Sequence, residues 1–374
     1  MTLPLDTETC SICQKLIDHQ PLYCSICSSR GFVCEPICSP ECLKIASQGH
    51  DLLHRARLNP PEGISPVWRS SCGRCLMATV DFKPGDVVLR EAPILFGTWR
   101  QCNIQFCSLS DAERDRILSF SAADDEELIG DAERIGRNQI KPDEYMSHTE
   151  DLVQILHNNS IDMTDGNCAL FEYGSLIAHS CQPNVDGAIE DSKWVIRALL
   201  PIRPGDILGW NYNLSPLTLM EGAGRRRAEM LELRGFICKC RHCQDIDYLR
   251  SCRCQLCEDG IVAGVYEEPM VCTNCSAKID DFELEKFEQN ERTLYLEMRA
   301  SDVDWRTLAE RAWHQLGPYH GITGRSCLEA AVMLKQNDPL KATLIQRIQQ
   351  FLSSPSMANA ILVHDYIQER LCSP

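Results

Sequence analysis

Apolar and polar positions change their rhythm several times along this chain, and each change marks a set of elements. Residues 76–98 read as strand, turn, strand: LMATVDF runs into the turn Lys83-Pro84-Gly85-Asp86 and then into VVLREAPILF. Across 168–213 strand character returns, with SKWVIRALLPI leading into Arg203-Pro204-Gly205-Asp206 and then ILGWNYN. The Pro-Gly-Asp turn thus occurs twice, each time between two apolar runs, although no clear internal repeat or low-complexity tract stands out. Between these blocks, 109–156 crowds Asp111, Glu113, Asp115, Asp124, Asp125, Glu126, Glu127, Asp131 and Glu133 among helix formers. Such a run predicts a helical insertion within a β-rich domain. From about 278 to 374 the spacing of three and four in WRTLAERAWHQL, RSCLEAAVML and TLIQRIQQFL predicts helices.

Composition narrows the picture. With 374 residues and 44% hydrophobic content the chain is long enough for two or three domains. Its 37 basic and 53 acidic side chains leave a formal charge of −16, which argues against a general nucleic-acid binder and leans towards basic partners. Residues 1–60 carry Lys15, Arg30, Lys44, Arg55 and Arg57 against Asp6, Glu8, Asp18, Glu35, Glu41 and Asp51, so no basic stripe reads DNA sequence there. No stretch approaches the about 18 to 20 apolar residues of a membrane span, and MTLPLDTETC does not read as a secretory signal. The 23 cysteines are then expected to be reduced, and their clustering points to metal.

The first cysteine block pairs Cys10 with Cys13, Cys24 with Cys27, Cys38 with Cys42 and His50 with His54. Eight ligands in four close pairs suit two tetrahedral zinc ions. HDLLH puts both imidazoles on one face if that stretch is helical. Cys34 is left spare. A second block, Cys238, Cys240 and Cys243, lacks a fourth ligand, which must come from elsewhere. A third, Cys254, Cys257, Cys272 and Cys275, closes a site alone, with Cys252 as an extra thiol. The total is about four zinc ions, all structural, since no His-Glu catalytic zinc motif occurs. Because the first block shares no ligand with the rest, it is expected to fold and unfold apart from it.

Taken in order, these stretches resemble the SET-and-MYND (SMYD) proteins, with a divergent arthropod-type member as the nearest likeness. The eight-ligand block looks like a MYND finger, and GRCLMATVDFKPGDVVLREAPIL is similar to the opening of a SET domain. LFEYGSLIAHSCQPNV resembles the Asn-His-Ser-Cys-x-Pro-Asn stretch, PIRPGDILGWNYN the strand ending in the SET tyrosine, and GFICKCRHC the post-SET zinc motif. The resemblance implies an α+β chain. It would comprise a MYND-type finger with its linker (1–60), a β-rich SET domain with pseudoknot (61–108 and 157–215) and a helical insertion (109–156). A cysteine-rich post-SET region (216–280) and a C-terminal helical domain (281–374) would follow. It also implies Cys181 as the fourth ligand beside Cys238, Cys240 and Cys243.

SET enzymes transfer a methyl group from S-adenosylmethionine to a lysine amine. The resemblance therefore implies Tyr212 as the catalytic tyrosine, also beside the cofactor. Gly73-Arg74-Cys75 stands where the family has Gly-x-Gly, and Asn159 matches an asparagine at the cofactor's amino-acid end. His179 and Phe236 match further cofactor contacts. Three departures stand out: Cys75 replaces a glycine, Ala178 replaces the asparagine before His179, and Arg234-Gly235 replace a channel tyrosine. The expected function is a protein-lysine methyltransferase taking a basic substrate such as a histone tail and repressing transcription. The alternative is a weak or inactive adaptor recruiting protein partners through the MYND finger and C-terminal helices. Nucleus, cytoplasm or both remain open, since no basic cluster exceeds Arg225-Arg226-Arg227.

Overall fold

The structure is a computed structural model. It describes residues 10, 12–13, 15–29, 36–48, 50–69, 72–120, 126–163, 166–212, 215–257 and 259–372, the side chains of 45–51 and 126–128 excepted. Two units divide the chain: Met1–Ala178 with Asn184–Trp210, and His179–Pro183 with Asn211–Pro374.

The first unit begins with three short helices, α1 (Ser25–Ser29), α2 (Pro40–Gln48) and α3 (His50–Ala56). Leu22 and Ile37 exchange backbone hydrogen bonds at 2.7 and 3.0 Å and tie the segment before α1 to the one before α2. Leu52, Leu53 and Ala56 of α3 are fully buried. Strands β1 (Ile64–Arg69) and β2 (Gly73–Ala78) pair antiparallel, with Val67 opposite Cys75. β3 (Val87–Glu91) and β4 (Leu95–Gly97) follow.

Four helices come next: α4 (Trp99–Ser108), α5 (Asp111–Leu118), α6 (Glu126–Gln139) and α7 (Thr149–Asn159). They form an excursion from one sheet, because β4 and the following β5 (Ile161–Asp162) both pair with β6 (Cys168–Leu170). The helices begin at Trp99, ahead of the acidic run, because Thr98 and Gln101 form a reciprocal cap there. Ser110 and Glu113 repeat that cap at α5.

Strands β7 (Ala178–His179), β8 (Val185–Glu190), β9 (Lys193–Ala198) and β10 (Gly209–Trp210) complete the set. β9 lies between β3 and β8. The strand expected over ILGWNYN is short: Asn211 and Tyr212 leave it where the chain passes into the second unit.

The two Pro-Gly-Asp turns are structural counterparts, a local repeat that residue identity conceals. Phe82 and Ile202 exchange backbone hydrogen bonds at 2.9 Å each way. Gly85 donates to Ala198 at 2.8 Å, while Gly205 donates to Ala78 at 2.9 Å. Ala198 returns a bond to Asp86 at 3.0 Å, and Ala78 returns one to Asp206 at 2.9 Å. Each turn is closed by its aspartate, Asp86 accepting from the Lys83 amide and Asp206 from the Arg203 amide, both at 2.8 Å. Gly85 and Gly205 have φ of 89° and 95°, which only glycine adopts without strain. The exchange needs backbone and turn chemistry alone, so it sets little demand on the intervening side chains.

In the second unit, α8 (Pro216–Leu219), α9 (Ala223–Arg234) and α10 (Arg241–Gln244) precede a small antiparallel sheet. That sheet is formed by β11 (Cys252–Arg253), β12 (Ile261–Ala263) and β13 (Val271–Cys272). Then come α11 (Asp281–Met298), α12 (Trp305–Gln315), α13 (Gly321–Met333), α14 (Pro339–Leu352) and α15 (Ile361–Cys372). Asp280, Asp304 and Asp338 cap three of these helices with their side chains. Met230, Leu249, Leu328, Leu344, Phe351 and Val363 share one buried core. Among the described residues no helix is long and apolar enough to cross a membrane.

Candidate metal centres and active site

Among the described residues, four groups of side chains bring their ligand atoms within 4.8 Å of one another and can hold a metal ion. In the first unit the pairs interleave: Cys10, Cys13, Cys38 and Cys42 form one group, and Cys24, Cys27 and His54 another. The His54 Nε2 lies 3.4 Å from the Cys24 sulfur and 3.3 Å from that of Cys27. The side chain of His50 and all of Cys34 lie outside the described residues.

The second unit holds the other two groups. Cys181 joins Cys238, Cys240 and Cys243, its sulfur 3.9 Å from Cys238 and 3.5 Å from Cys243. Cys254, Cys257, Cys272 and Cys275 form the last group, and Cys252 stands outside it. The donor chemistry fits zinc: backbone amides of Cys38, Cys240, Leu256 and Asn274 point at cluster sulfurs at 3.4 Å, as suits thiolates.

Two arginines complete this picture. Four thiolates around a divalent ion leave two excess negative charges, which burial makes costly unless a cation lies close. Arg226, almost wholly buried, directs Nη2 at the Cys243 sulfur at 3.7 Å and at the His242 carbonyl at 3.3 Å. Arg57 directs Nη1 at the Cys27 sulfur at 3.3 Å, in the group of two cysteines and a histidine, where two thiolates already balance a divalent ion and the arginine adds only a hydrogen bond. The run Arg225-Arg226-Arg227, read in the sequence only for localisation, therefore has partners within the second unit. Arg225 lies 3.2 Å from the centre of the Tyr295 ring, and Arg227 lies 4.7 Å from that of Tyr266. The available signal was a basic run beside a cysteine block.

Beside the Cys181 group sits an aromatic cluster. His179 packs edge-on against Tyr212 with ring centres 5.2 Å apart, and Phe236 lies 6.0 Å from His179 and 6.4 Å from Tyr212. The Tyr212 amide points at His179 Nδ1 at 3.3 Å. A backbone N–H only donates, so Nδ1 accepts and the proton of the neutral ring sits on Nε2. That Nε2 lies 3.2 Å from the Cys181 sulfur and donates to it. Burial, with Arg226 and Arg234 acting in the same sense, holds the His179 imidazole down to about 4. One neutral imidazole thus ties the tyrosine's backbone to a cluster cysteine.

The Arg234 guanidinium stands 5.9 Å from the centre of the Tyr212 ring. Gly235 ends α9 with φ of 70°, donating to the Leu231 carbonyl at 3.0 Å. A tyrosine there would be strained, which gives a physical reason for one departure from the family pattern.

The remaining candidates lie in the first unit. Gly73, Arg74 and Cys75 lead β2. Gly73 has φ of 70°, and a side chain on it would meet only the Trp68 ring, at 3.8 Å. Cys75 is fully buried and shares one apolar cluster with Val67 and Ala178. Cys75 and Ala178 thus contribute two small side chains to the same cluster. Asn159 ends α7, its amide donating to the Ile155 carbonyl at 2.9 Å. The candidates divide five and three between the units: Gly73, Arg74, Cys75, Asn159 and Ala178 in one, His179, Tyr212 and Phe236 in the other.

No curated protein matches the chain. Among solved structures it is similar to the SET domain of LSMT bound to lysine and AdoHcy, at 11% identity and TM-score 0.36, covering 88% of this chain and 92% of that one. Rubisco LSMT bound to AdoMet gives 12% identity and TM-score 0.36, covering 89% and 93%. The Chaetomium thermophilum polycomb repressive complex 2 gives 11% identity and TM-score 0.23, covering 80% and 32%. The family profile of the SET domain matches residues 73–213, a span that opens at Gly73 and takes in Asn159, His179 and Tyr212. Residues 73–213 of this chain are a SET domain.

Proposed function

We propose that the chain is a protein-lysine methyltransferase using S-adenosylmethionine, of the SET-and-MYND type. The observation that carries this reading is Tyr212, at the end of the SET match, held by ring and backbone against a neutral His179. S-adenosylmethionine would supply a methyl group on a sulfonium. The residues that the SET resemblance implies for it are Gly73, Arg74, Cys75, Asn159 and Ala178 in the first unit and His179, Tyr212 and Phe236 in the second. Gly73 fits because it adopts a left-handed backbone and carries no side chain to keep a ligand off that backbone.

For this chain's residues the task is mainly alignment. A lysine nitrogen would have to arrive neutral, its proton having passed to water, for its lone pair to accept that methyl group. The Tyr212 hydroxyl would orient the reacting groups, and Phe236 and His179 would exclude water around them. The acidic composition supports a basic protein substrate such as a histone tail; transcriptional repression would be the corresponding role, with nucleus, cytoplasm or both as the location. The finger would hold two zinc ions and meet protein partners.

Arg234 favours a second reading, an adaptor with weak or absent catalysis, because a guanidinium near Tyr212 opposes a cationic substrate. Calorimetric titration with S-adenosylmethionine and radiolabelled methyl transfer to lysine-rich proteins separate the two. Methyl transfer that falls at least about 100-fold in Tyr212→Phe, with melting unchanged, supports the enzyme. No cofactor heat and no transfer in wild type decide for the adaptor.

A further inference from the structure

Glu91 closes β3, far in sequence from the segment it holds. Its Oε1 accepts the amides of Glu172 at 2.7 Å and Tyr173 at 3.0 Å, and its Oε2 those of Tyr173 at 3.2 Å and Gly174 at 2.9 Å. Three consecutive backbone donors therefore converge on one carboxylate. They open the tight turn Gly174–Leu176, and after Ile177 comes Ala178 of β7.

The same turn is gripped twice more. Arg116 of α5 holds the Glu172 carboxylate, with Nε on Oε1 at 2.9 Å. The Tyr173 hydroxyl donates to the Asn59 carbonyl at 2.7 Å. Withdrawal from water pushes the Glu91 carboxyl up to about 7, against the Tyr173 and Gly174 amides and Arg116, which favour its charge. No reading of the sequence gave Glu91 a part.

We propose that Glu91 is a positioning residue for the cofactor site: by gathering the amides of residues 172–174 it fixes the path of the chain into Ala178. This deepens the methyltransferase reading and rests on it. Glu91→Gln keeps the shape but turns one acceptor oxygen into a donor that faces backbone N–H groups.

The test is amide hydrogen exchange of the full-length, zinc-loaded protein, with melting, S-adenosylmethionine affinity and steady-state kinetics. In Glu91→Gln, amides 172–178 are expected to exchange at least about tenfold faster while amides elsewhere stay within about twofold. The dissociation constant and KM for S-adenosylmethionine should rise at least about fivefold, with kcat at saturation within about twofold. Glu91→Asp retains the charge but stops one methylene short, and serves if the glutamine variant does not fold.

Wild-type exchange or wild-type affinity in a folded variant overturns the proposal. So does faster exchange throughout the chain, or failure of both variants to fold, since Glu91 would then serve the fold alone. If wild type itself takes up no S-adenosylmethionine, the methyltransferase reading is what fails, and the exchange pattern still decides whether Glu91 holds the turn.

Discussion

Cys75 and Ala178 illustrate what single residues hide when read along the chain. Each looks like a separate loss from a SET pattern, a glycine in one case and an asparagine in the other. In the fold they share one buried cluster with Val67, flanked by Met77 and Ile207. An asparagine introduced at 178 alone would place an amide against a buried thiol and methyl groups, at a cost of about 1–3 kcal/mol if its hydrogen bonds go unmade. Ala178→Asn alone is therefore expected to destabilise the protein without tightening cofactor binding. Combined with Cys75→Gly, which makes room, it should cost less than the two single changes together by about 0.5 kcal/mol or more. Denaturant unfolding of the two single variants and the double variant measures this, and strict additivity would show the sites independent. Tyr212 and His179 were legible because a motif carries them. The pairing of Cys75 with Ala178 was not, because contact across the β2–β7 region has no signature along the chain.

At the scale of elements, α3 connects the cysteine-rich N-terminal segment, which the sequence leads one to expect to fold apart, with the strands that follow. Sharing no ligands is not the same as sharing no structure. α3 supplies His54 to one metal group while burying Leu52, Leu53 and Ala56 completely. Beyond its end, Arg57 bonds the Pro66 carbonyl of β1 at 2.7 Å with Nε and the Cys27 sulfur with Nη1. The Tyr173 hydroxyl bonds the chain again at Asn59. Cys24→Ser with Cys27→Ser is thus expected to lower the melting point of the whole first unit and to speed amide exchange in β1 and β2. Exchange changes confined to residues before Ala56 would restore the separable finger. The helices were largely legible, since caps such as Ser110 with Glu113 and spacing such as that of α12 are local signals. The reciprocal Pro-Gly-Asp turns were visible as motifs, but their pairing was not, because only backbone atoms make it.

For the molecule as a whole, the metal groups change the charge that matters. The formal −16 counts every thiol as neutral. Three four-cysteine groups, each holding one divalent ion as four thiolates, would add −2 apiece, giving −16 − 6, or about −22. Arg226, set on the Cys243 sulfur, is placed to offset part of that excess locally. Elemental analysis of zinc-saturated protein is expected to give four ions per chain, and Cys181→Ser to remove one of them. Arg226→Met should leave four ions but let a chelator strip the Cys181 group faster, since a buried excess charge is left without its cation. Zinc release should speed up as pH falls, because each thiolate that gains a proton stops being a ligand. Two ions or fewer in the saturated wild type, or full zinc in Cys181→Ser, would mean that these sulfurs meet for a reason other than metal.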